Sequence, residues 1–123
     1  MHFQDLPPLG QPLEGGTFAG LTTDKEGRHF AVARLPDKPE KNLKWKNAID
    51  WAAGVGGVLP TRPVAALLFA NCKDQFEPEW HWTSEAFDGS YAWGQYFDRG
   101  GQSSDRKGIE LRARAVRLIQ LTP

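Results

Sequence analysis

The stretch that decides the fold reads "WHWTSEAFDGSYAWGQYF", residues 80–97, and holds three tryptophans, two tyrosines and two phenylalanines. Its two ends, "WHWTS" and "YAWGQYF", alternate in side-chain type with a period of two, the pattern of a β-strand. The aspartate, glycine and serine between them are typical of a turn. The stretch therefore predicts two strands joined by a turn-rich connection.

Two helices are predicted before this stretch. Apolar residues of the first one recur at the spacing of a single helix face: Trp45, Ala48, Ile49 and Ala52. Asn42 can cap the start of that helix, and Gly54 can end it. The second helix begins within "PTRPVAALLFAN", residues 60–71, where Thr61 suits the N-cap and Pro63 the first turn.

The rest of the chain completes an α+β order. Residues 1–14 are rich in proline and glycine and predict an extended arm along the surface, and residues 15–36 predict a hairpin with its turn at "DKEG". "DRGGQSSDRKG", residues 98–108, has no apolar side chain and predicts a long exposed loop or a polar hairpin tip. Residues 110–121 alternate as a further strand. Residues 15–123 are expected to form one α+β domain.

Composition excludes several classes of protein. Fifteen basic and fifteen acidic residues cancel, which argues against a general nucleic-acid binder and against an acidic DNA mimic. The single cysteine, Cys72, rules out an internal disulfide framework. The first residues lack the basic start and apolar run of a signal peptide, and no apolar stretch approaches the ~20 residues of a membrane helix. We expect a soluble protein made in the cytoplasm, without membrane insertion.

Several short motifs occur together in a fixed order. They are "LPTR" at residues 59–62, "WTSE" at 82–85, Ala92 with Trp93, Phe97 with Gly100, and "RAVR" at 114–117. In this order they resemble the DUF1566 family, also called the Lcl C-terminal domain, many members of which are encoded by phages and prophages. The resemblance covers roughly residues 15–121 and includes "GGTFAG" near the start.

The resemblance implies a C-type-lectin-like fold, with two helices packed against twisted antiparallel sheets and the termini close together. It does not imply calcium binding, because the chain lacks the Glu-Pro-Asn and Trp-Asn-Asp motifs of calcium-dependent lectins. Glu77 and Glu79 flank a proline, but nothing downstream completes an oxygen cage. The related formylglycine-generating enzymes need two cysteines, and this chain has one. We expect no cofactor and no metal.

No catalytic motif is found. The three histidines lack the spacing of a zinc site: His2, His29 and His81. Ser84 follows His81 by three positions on one strand, so their side chains should project to opposite faces, and no G-x-S-x-G motif is present. His81 is interpreted as an exposed or half-buried structural residue, and Cys72 as a small buried hydrophobe. We expect that this protein is not an enzyme.

Structural roles are predicted for five residues at the recurring positions of the family: Trp82, Trp93, Phe97, Arg114 and Arg117. The aromatic members are assigned to the core, because each can bury a large apolar area. The arginines, together with Arg112, are expected to form ion pairs with Glu85 or Asp50 rather than a phosphate site.

Residues 86–108 are the candidate binding rim. Its predicted ligand-binding residues are Phe87, Asp88, Ser90, Tyr91, Gln102, Ser103, Ser104, Asp105 and Arg106. Tyrosine, serine, aspartate, glutamine and arginine on loops of a stiff scaffold are the composition of recognition surfaces, although a merely solvated loop has the same composition.

Two functions fit this rim. The first is a non-enzymatic domain, encoded by a phage or prophage, that recognises a protein or surface glycan, with the virion as an alternative location to the host cytoplasm. The second is a small intracellular phage accessory protein that binds and inhibits a host factor. A homo-oligomer is compatible with either function, but no heptad pattern requires it.

Overall fold

The computed structural model describes residues 1–122 and contains two antiparallel sheets and two α-helices. The elements are β1 (Pro12–Leu13), β2 (Gly16–Thr23), β3 (His29–Arg34), α1 (Trp45–Gly54), α2 (Arg62–Cys72), β4 (Trp80–Ala86), β5 (Tyr91–Tyr96), β6 (Gln102–Arg106) and β7 (Val116–Gln120). Short 3-10 turns occur at Phe3–Asp5 and Lys73–Gln75. The predicted α+β class is confirmed. Pro123, the last residue of the predicted domain, lies outside the described residues.

The large sheet has the strand order β1-β2-β3-β7. Its centre is the predicted hairpin of β2 and β3, which is confirmed. The turn of that hairpin is held by Asp24, whose carboxylate accepts from the main-chain N–H groups of Glu26 and Arg28 at 3.0 and 2.9 Å. Such bonds from an aspartate to the main chain just ahead are typical of turns. β7 then pairs with the outer side of β3.

Only the second half of the predicted C-terminal strand, residues 110–121, forms a strand. Residues 116–120 form β7, but residues 110–115 cross between the two sheets. Leu111 exchanges main-chain hydrogen bonds with Leu43, and the Arg112 carbonyl accepts from Trp82. The strand predicted over residues 110–121 is therefore too long, because the first half of this segment divides its hydrogen bonds among several elements.

The two helices begin differently. In α2 the predicted N-cap is confirmed, since the Thr61 hydroxyl accepts from the main-chain N–H of Val64 at 3.3 Å. The predicted cap of α1 at Asn42 is wrong, because Lys44 precedes the helix and makes no side-chain cap. The preceding residue, Leu43, pairs with the C-terminal run, so the chain remains extended there. Gly54 ends α1 as predicted.

The core has three clusters: one, which includes Ala52 and Trp82, joins α1 to the small sheet, and the other two lie on the two faces of the large sheet. On one face of the large sheet, Leu68 of α2 and the rings of Phe76 and Phe97 pack with Val32. On the other face, residues 1–14 cover a cluster that includes Leu13. This arm contains a helical turn and a short strand, so it is not extended throughout as predicted. Near its start, the carbonyl of Met1 accepts from the N–H of Thr122 at 2.8 Å.

Candidate functional site

The small sheet, in the order β4-β5-β6, carries the predicted rim. The turn between β4 and β5 is shaped by Asp88, whose carboxylate accepts from the main-chain N–H groups of Ser90 and Tyr91 at 2.8 and 2.9 Å. The side chain of Asp88 is therefore a turn-forming group. Phe87, at the start of the same turn, is 57% exposed. Phe87 is thus the apolar residue that this turn presents to solvent.

The segment predicted as a long exposed loop or a polar hairpin tip contains a strand. Residues 102–106 form β6, which pairs with β5 along its whole length. A strand at the edge of a sheet is held by main-chain hydrogen bonds and needs no apolar side chains, and charged side chains protect such an edge from further pairing. The polar composition that predicted a loop is therefore that of an edge strand.

Strand register divides the predicted ligand-binding residues between two faces. Residues that pair across strands project to the same side. One face carries two such pairs: Trp93 with Ser104 and Tyr91 with Arg106. Ser103 and Asp105 alternate with these positions and project to the opposite face. The predicted set is therefore not a single surface.

Gln102, also predicted to contact a ligand, is engaged inside the fold. Its amide nitrogen donates to the Arg62 carbonyl and to the side-chain oxygen of Gln95, both at 2.8 Å. Its own side-chain oxygen accepts from Nε of Arg62 at 2.9 Å. Because Gln95 is only 1% exposed, this arrangement satisfies a buried amide. Gln102 thus joins β5, β6 and α2.

Arg62 is a site residue that the sequence pattern did not reveal. Its guanidinium carbon lies 3.6 Å from the centroid of the Trp93 ring, a cation–π contact. The Phe87 ring meets Trp93 edge-on, with centroids 5.6 Å apart. The main-chain N–H of Arg62 donates to the Glu85 carboxylate at 2.7 Å. We define the aromatic rim as Arg62, Glu85, Phe87, Tyr91, Trp93, Ser104 and Arg106.

The aromatic residues assigned to the core do not share one environment. Trp82 and Phe97 are 0% and 3% exposed. Trp93 is only partly buried, so its assignment to the core is corrected: it lies at the margin, between the scaffold and the exposed Phe87. Arg62 covers one of its ring faces.

The back of the rim is tied to α1 through Lys107. The main-chain N–H of Lys107 donates to the Ser90 carbonyl at 2.9 Å, and its ammonium donates to the Gly89 carbonyl at 3.2 Å. The same ammonium lies 4.7 Å from the centroid of the Trp45 ring. The turn that carries Phe87 is therefore braced by side-chain contacts as well as by the sheet.

His81 is buried, so the prediction of an exposed or half-buried residue is wrong. It is 3% exposed, because the rings of Phe76 and Phe97 pack against it with centroids 5.5 and 4.8 Å away. Burial lowers the pKa of His81 to about 4, so the imidazole is neutral near pH 7. This residue therefore packs the interior between two aromatic rings.

The thiol of Cys72 is half-buried rather than buried. Burial raises its pKa, which lowers the fraction of reactive thiolate. Within residues 1–122, no group of three or more histidine, cysteine, aspartate or glutamate side chains is placed to hold a metal ion.

The predicted ion pairs of Arg112 are wrong. Its guanidinium instead binds the Glu79 carboxylate at 2.7 Å on the surface. Asp50 pairs with Lys46 at 3.0 Å, and Glu85 accepts from the first turn of α2. Both acidic groups therefore have other partners: Lys46 lies four residues before Asp50 on α1, whereas Arg62 lies 23 residues before Glu85 in the sequence.

The other two arginines bind main-chain carbonyls, so their predicted ion pairs with Glu85 or Asp50 are also wrong. Arg114 donates to the carbonyls of Gln75 and Leu35 at 2.9 and 3.3 Å, and burial lowers its pKa to about 10. Arg117 donates to the Glu14 carbonyl at 2.6 Å. Each therefore joins segments that are distant in the chain.

Comparison with known proteins found no matching family model and no matching curated protein. Neither α-helix among residues 1–122 is long and apolar enough to cross a membrane. The geometry of the aromatic rim is therefore the main support for a functional proposal.

Proposed function

We propose that this protein is a non-enzymatic binding domain that recognises a protein or a surface glycan through the aromatic rim. The observation that carries the proposal is the stack of Arg62 on Trp93 beside the exposed ring of Phe87. Tryptophan, tyrosine and arginine are the residues most enriched at the energetic centres of protein interfaces. Here Trp93, Tyr91 and Arg106 lie on one braced sheet face, so little conformational freedom is lost on binding.

A protein partner is favoured over a glycan. A sugar ring stacks on an open aromatic face, whereas the Arg62 guanidinium at 3.6 Å already covers one face of Trp93. What remains is an apolar anchor at Phe87, with charges of both signs at Glu85 and Arg106. An apolar centre with a polar border is typical of protein interfaces.

The proposal extends to the fold and origin of the domain. We propose a C-type-lectin-like fold of the phage or prophage branch of DUF1566, made in the host cytoplasm. Its support is the ordered motifs, the two helices, and the hydrogen bond between residues 1 and 122 at 2.8 Å. In such a domain the scaffold is constant and the small sheet presents the ligand contacts. An inhibitor of a host factor would use the same rim.

The test is capture of partners from a host lysate by the immobilised protein, followed by mass spectrometry. The test variant combines Phe87→Ala and Arg106→Ala on the rim, and the control combines Ser103→Ala and Asp105→Ala on the opposite face. We expect one protein to be retained by wild type and control and lost by the rim variant. Equal capture by both variants contradicts the site, and loss of capture after enzymatic deglycosylation of the lysate identifies a glycan instead. Circular dichroism checks that both variants fold.

A further inference from the structure

The large sheet has an open edge at residues 21–23 of β2. Before this point the same edge is filled. Phe18 exchanges main-chain hydrogen bonds with residues 10–11 of the arm, and the Ala19 carbonyl accepts from Nδ2 of Asn71 at 2.8 Å. Beyond these contacts, no segment of the described chain pairs with the outer side of β2.

The main-chain groups of Leu21 and Thr23 point out of this edge. Thr23 lies opposite His29 on β3, and the His29 carbonyl accepts from Leu121 on the other side of β3. Because His29 directs its carbonyl away from β2, Thr23 and His29 form a non-hydrogen-bonded pair. In an antiparallel ladder such pairs alternate with hydrogen-bonded pairs, so Leu21 is in a non-hydrogen-bonded pair as well. Thr23 and Leu21 therefore direct their N–H and C=O groups outward, and these groups have no protein partner within residues 1–122.

Two apolar pockets flank the open edge. The larger, of about 1080 Å³, extends from Pro63, Ala66 and Leu67 on the α2 side to Phe3 and Leu121 on the side of the arm. The smaller, of about 620 Å³, lies on the side of the arm and is lined by residues that include Leu6, Leu9 and Phe18. Both pockets include Leu21, which is 41% exposed. Because α2 and the arm cover opposite faces of the sheet, space is available on both sides of the edge.

We propose that this edge binds an extended, uncharged segment of a partner polypeptide, which adds to β2 as a further strand. An extended chain supplies donors and acceptors for the outward groups of Leu21 and Thr23. Its successive side chains project to alternate faces, one toward each pocket. A lipid or other small apolar ligand fills a pocket but leaves these main-chain groups unpaired, so the hydrogen-bonding pattern selects a peptide.

The charges near the edge explain why the segment is uncharged. Arg28 contributes to the wall of the larger pocket, but its guanidinium binds the Asp24 carboxylate at 2.7 Å. The wall therefore offers no uncompensated guanidinium to an acidic peptide. None of the residues of the aromatic rim lines either pocket, so the inference does not depend on the proposed function.

The test uses a fluorescein-labelled peptide with four central valines, flanked by serines and terminal lysines. Leu21→Pro removes one outward N–H, a change that edge strands tolerate where the N–H faces solvent. Ala66→Glu places a carboxylate in the larger pocket at an exposed helix position. Ala70→Glu, one turn later on α2 and also exposed, lies outside both pockets and is the matched control.

We expect fluorescence anisotropy to show binding that Leu21→Pro and Ala66→Glu each weaken about tenfold or more, while Ala70→Glu leaves it unchanged. N-methylation of the alternate peptide nitrogens that face β2 should weaken binding as much as these two substitutions do. Amide exchange should slow at Leu21 and Thr23. The proposal is overturned if the peptide does not bind, or if N-methylation has no effect. It is also overturned if Leu21 is already protected by self-association of the protein, since the occupant is then a second copy.

Discussion

The two sheets are stabilised in different ways. The centre of the large sheet is filled by small aliphatic side chains: Ala31, Val32 and Ala33. The small sheet buries polar side chains that each have a hydrogen-bond partner: His81, Thr83 and Gln95. Apolar burial is non-directional, whereas hydrogen bonds require defined distances and angles. The sheet that carries the aromatic rim is therefore the one whose geometry is most tightly specified.

The largest expected effect follows from removing the apolar centre of the small sheet. Trp82→Ala should lower the free energy of unfolding by about 3–5 kcal/mol, because the indole is fully buried and its N–H donates to the Leu43 carbonyl at 2.7 Å. Urea denaturation measures the loss. Val32→Ala, a smaller deletion in the large sheet, should cost less. An equal cost at the two positions would contradict the larger buried area and the hydrogen bond assigned to Trp82.

Acid should weaken the small sheet before the large one. The pKa of His81 is lowered to about 4, against about 6.5 in an unfolded chain. Between these values the unfolded state binds a proton that the folded state does not. The contribution of neutral His81 to the free energy of unfolding is thus complete above about pH 6.5. It is lost as the pH falls toward 4, by up to ~3 kcal/mol.

This effect is measured by urea denaturation at several pH values and by amide exchange in each sheet. His81→Gln removes the titrating group, so its stability should depend less steeply on pH in this range. The prediction fails if the variant and the wild type show the same slope, or if β2 and β3 open before β4 and β5.

A smaller effect should distinguish a polar residue that is hydrogen-bonded inside the fold, Gln102, from an exposed polar neighbour, Ser103. Gln102→Ala should lower the free energy of unfolding by about 1–3 kcal/mol, because it removes the hydrogen-bond donor to the buried side-chain oxygen of Gln95. Ser103→Ala, at the next residue but exposed, should change it by less than about 0.5 kcal/mol. Thermal denaturation of the two variants decides the point, and equal costs would show that no specific network exists.

Local patterns predicted the elements that are stabilised locally. The face spacing of Ala48 and Ala52 and the capping hydroxyl of Thr61 identified the helices, because these features depend on neighbours within one or two turns. The turn chemistry of "DKEG" likewise identified the first hairpin. The α+β order followed from these elements.

Contacts between distant segments could not be read from the sequence. Edge strand β6 has no apolar period, since its pairing uses main-chain groups. Burial of His81 depends on rings at positions 76 and 97 that cover the face opposite Trp82. The stack of Arg62 on Trp93 joins two residues in different elements. Four of the seven residues of the aromatic rim were therefore predicted as ligand-binding from composition, but their arrangement on one face was not predicted.

The pairing of β7 with β3 has a consequence for the order of synthesis. The β2–β3 hairpin leaves the ribosome first, and its apolar outer strand then waits for residues 116–120. At typical rates of chain growth this delay is on the order of several seconds. During that time the hydrogen-bonding groups of Ala31 and Ala33 that will pair with β7 are open to other chains. A nascent chain that stops before residue 116 is thus the form most in need of a chaperone.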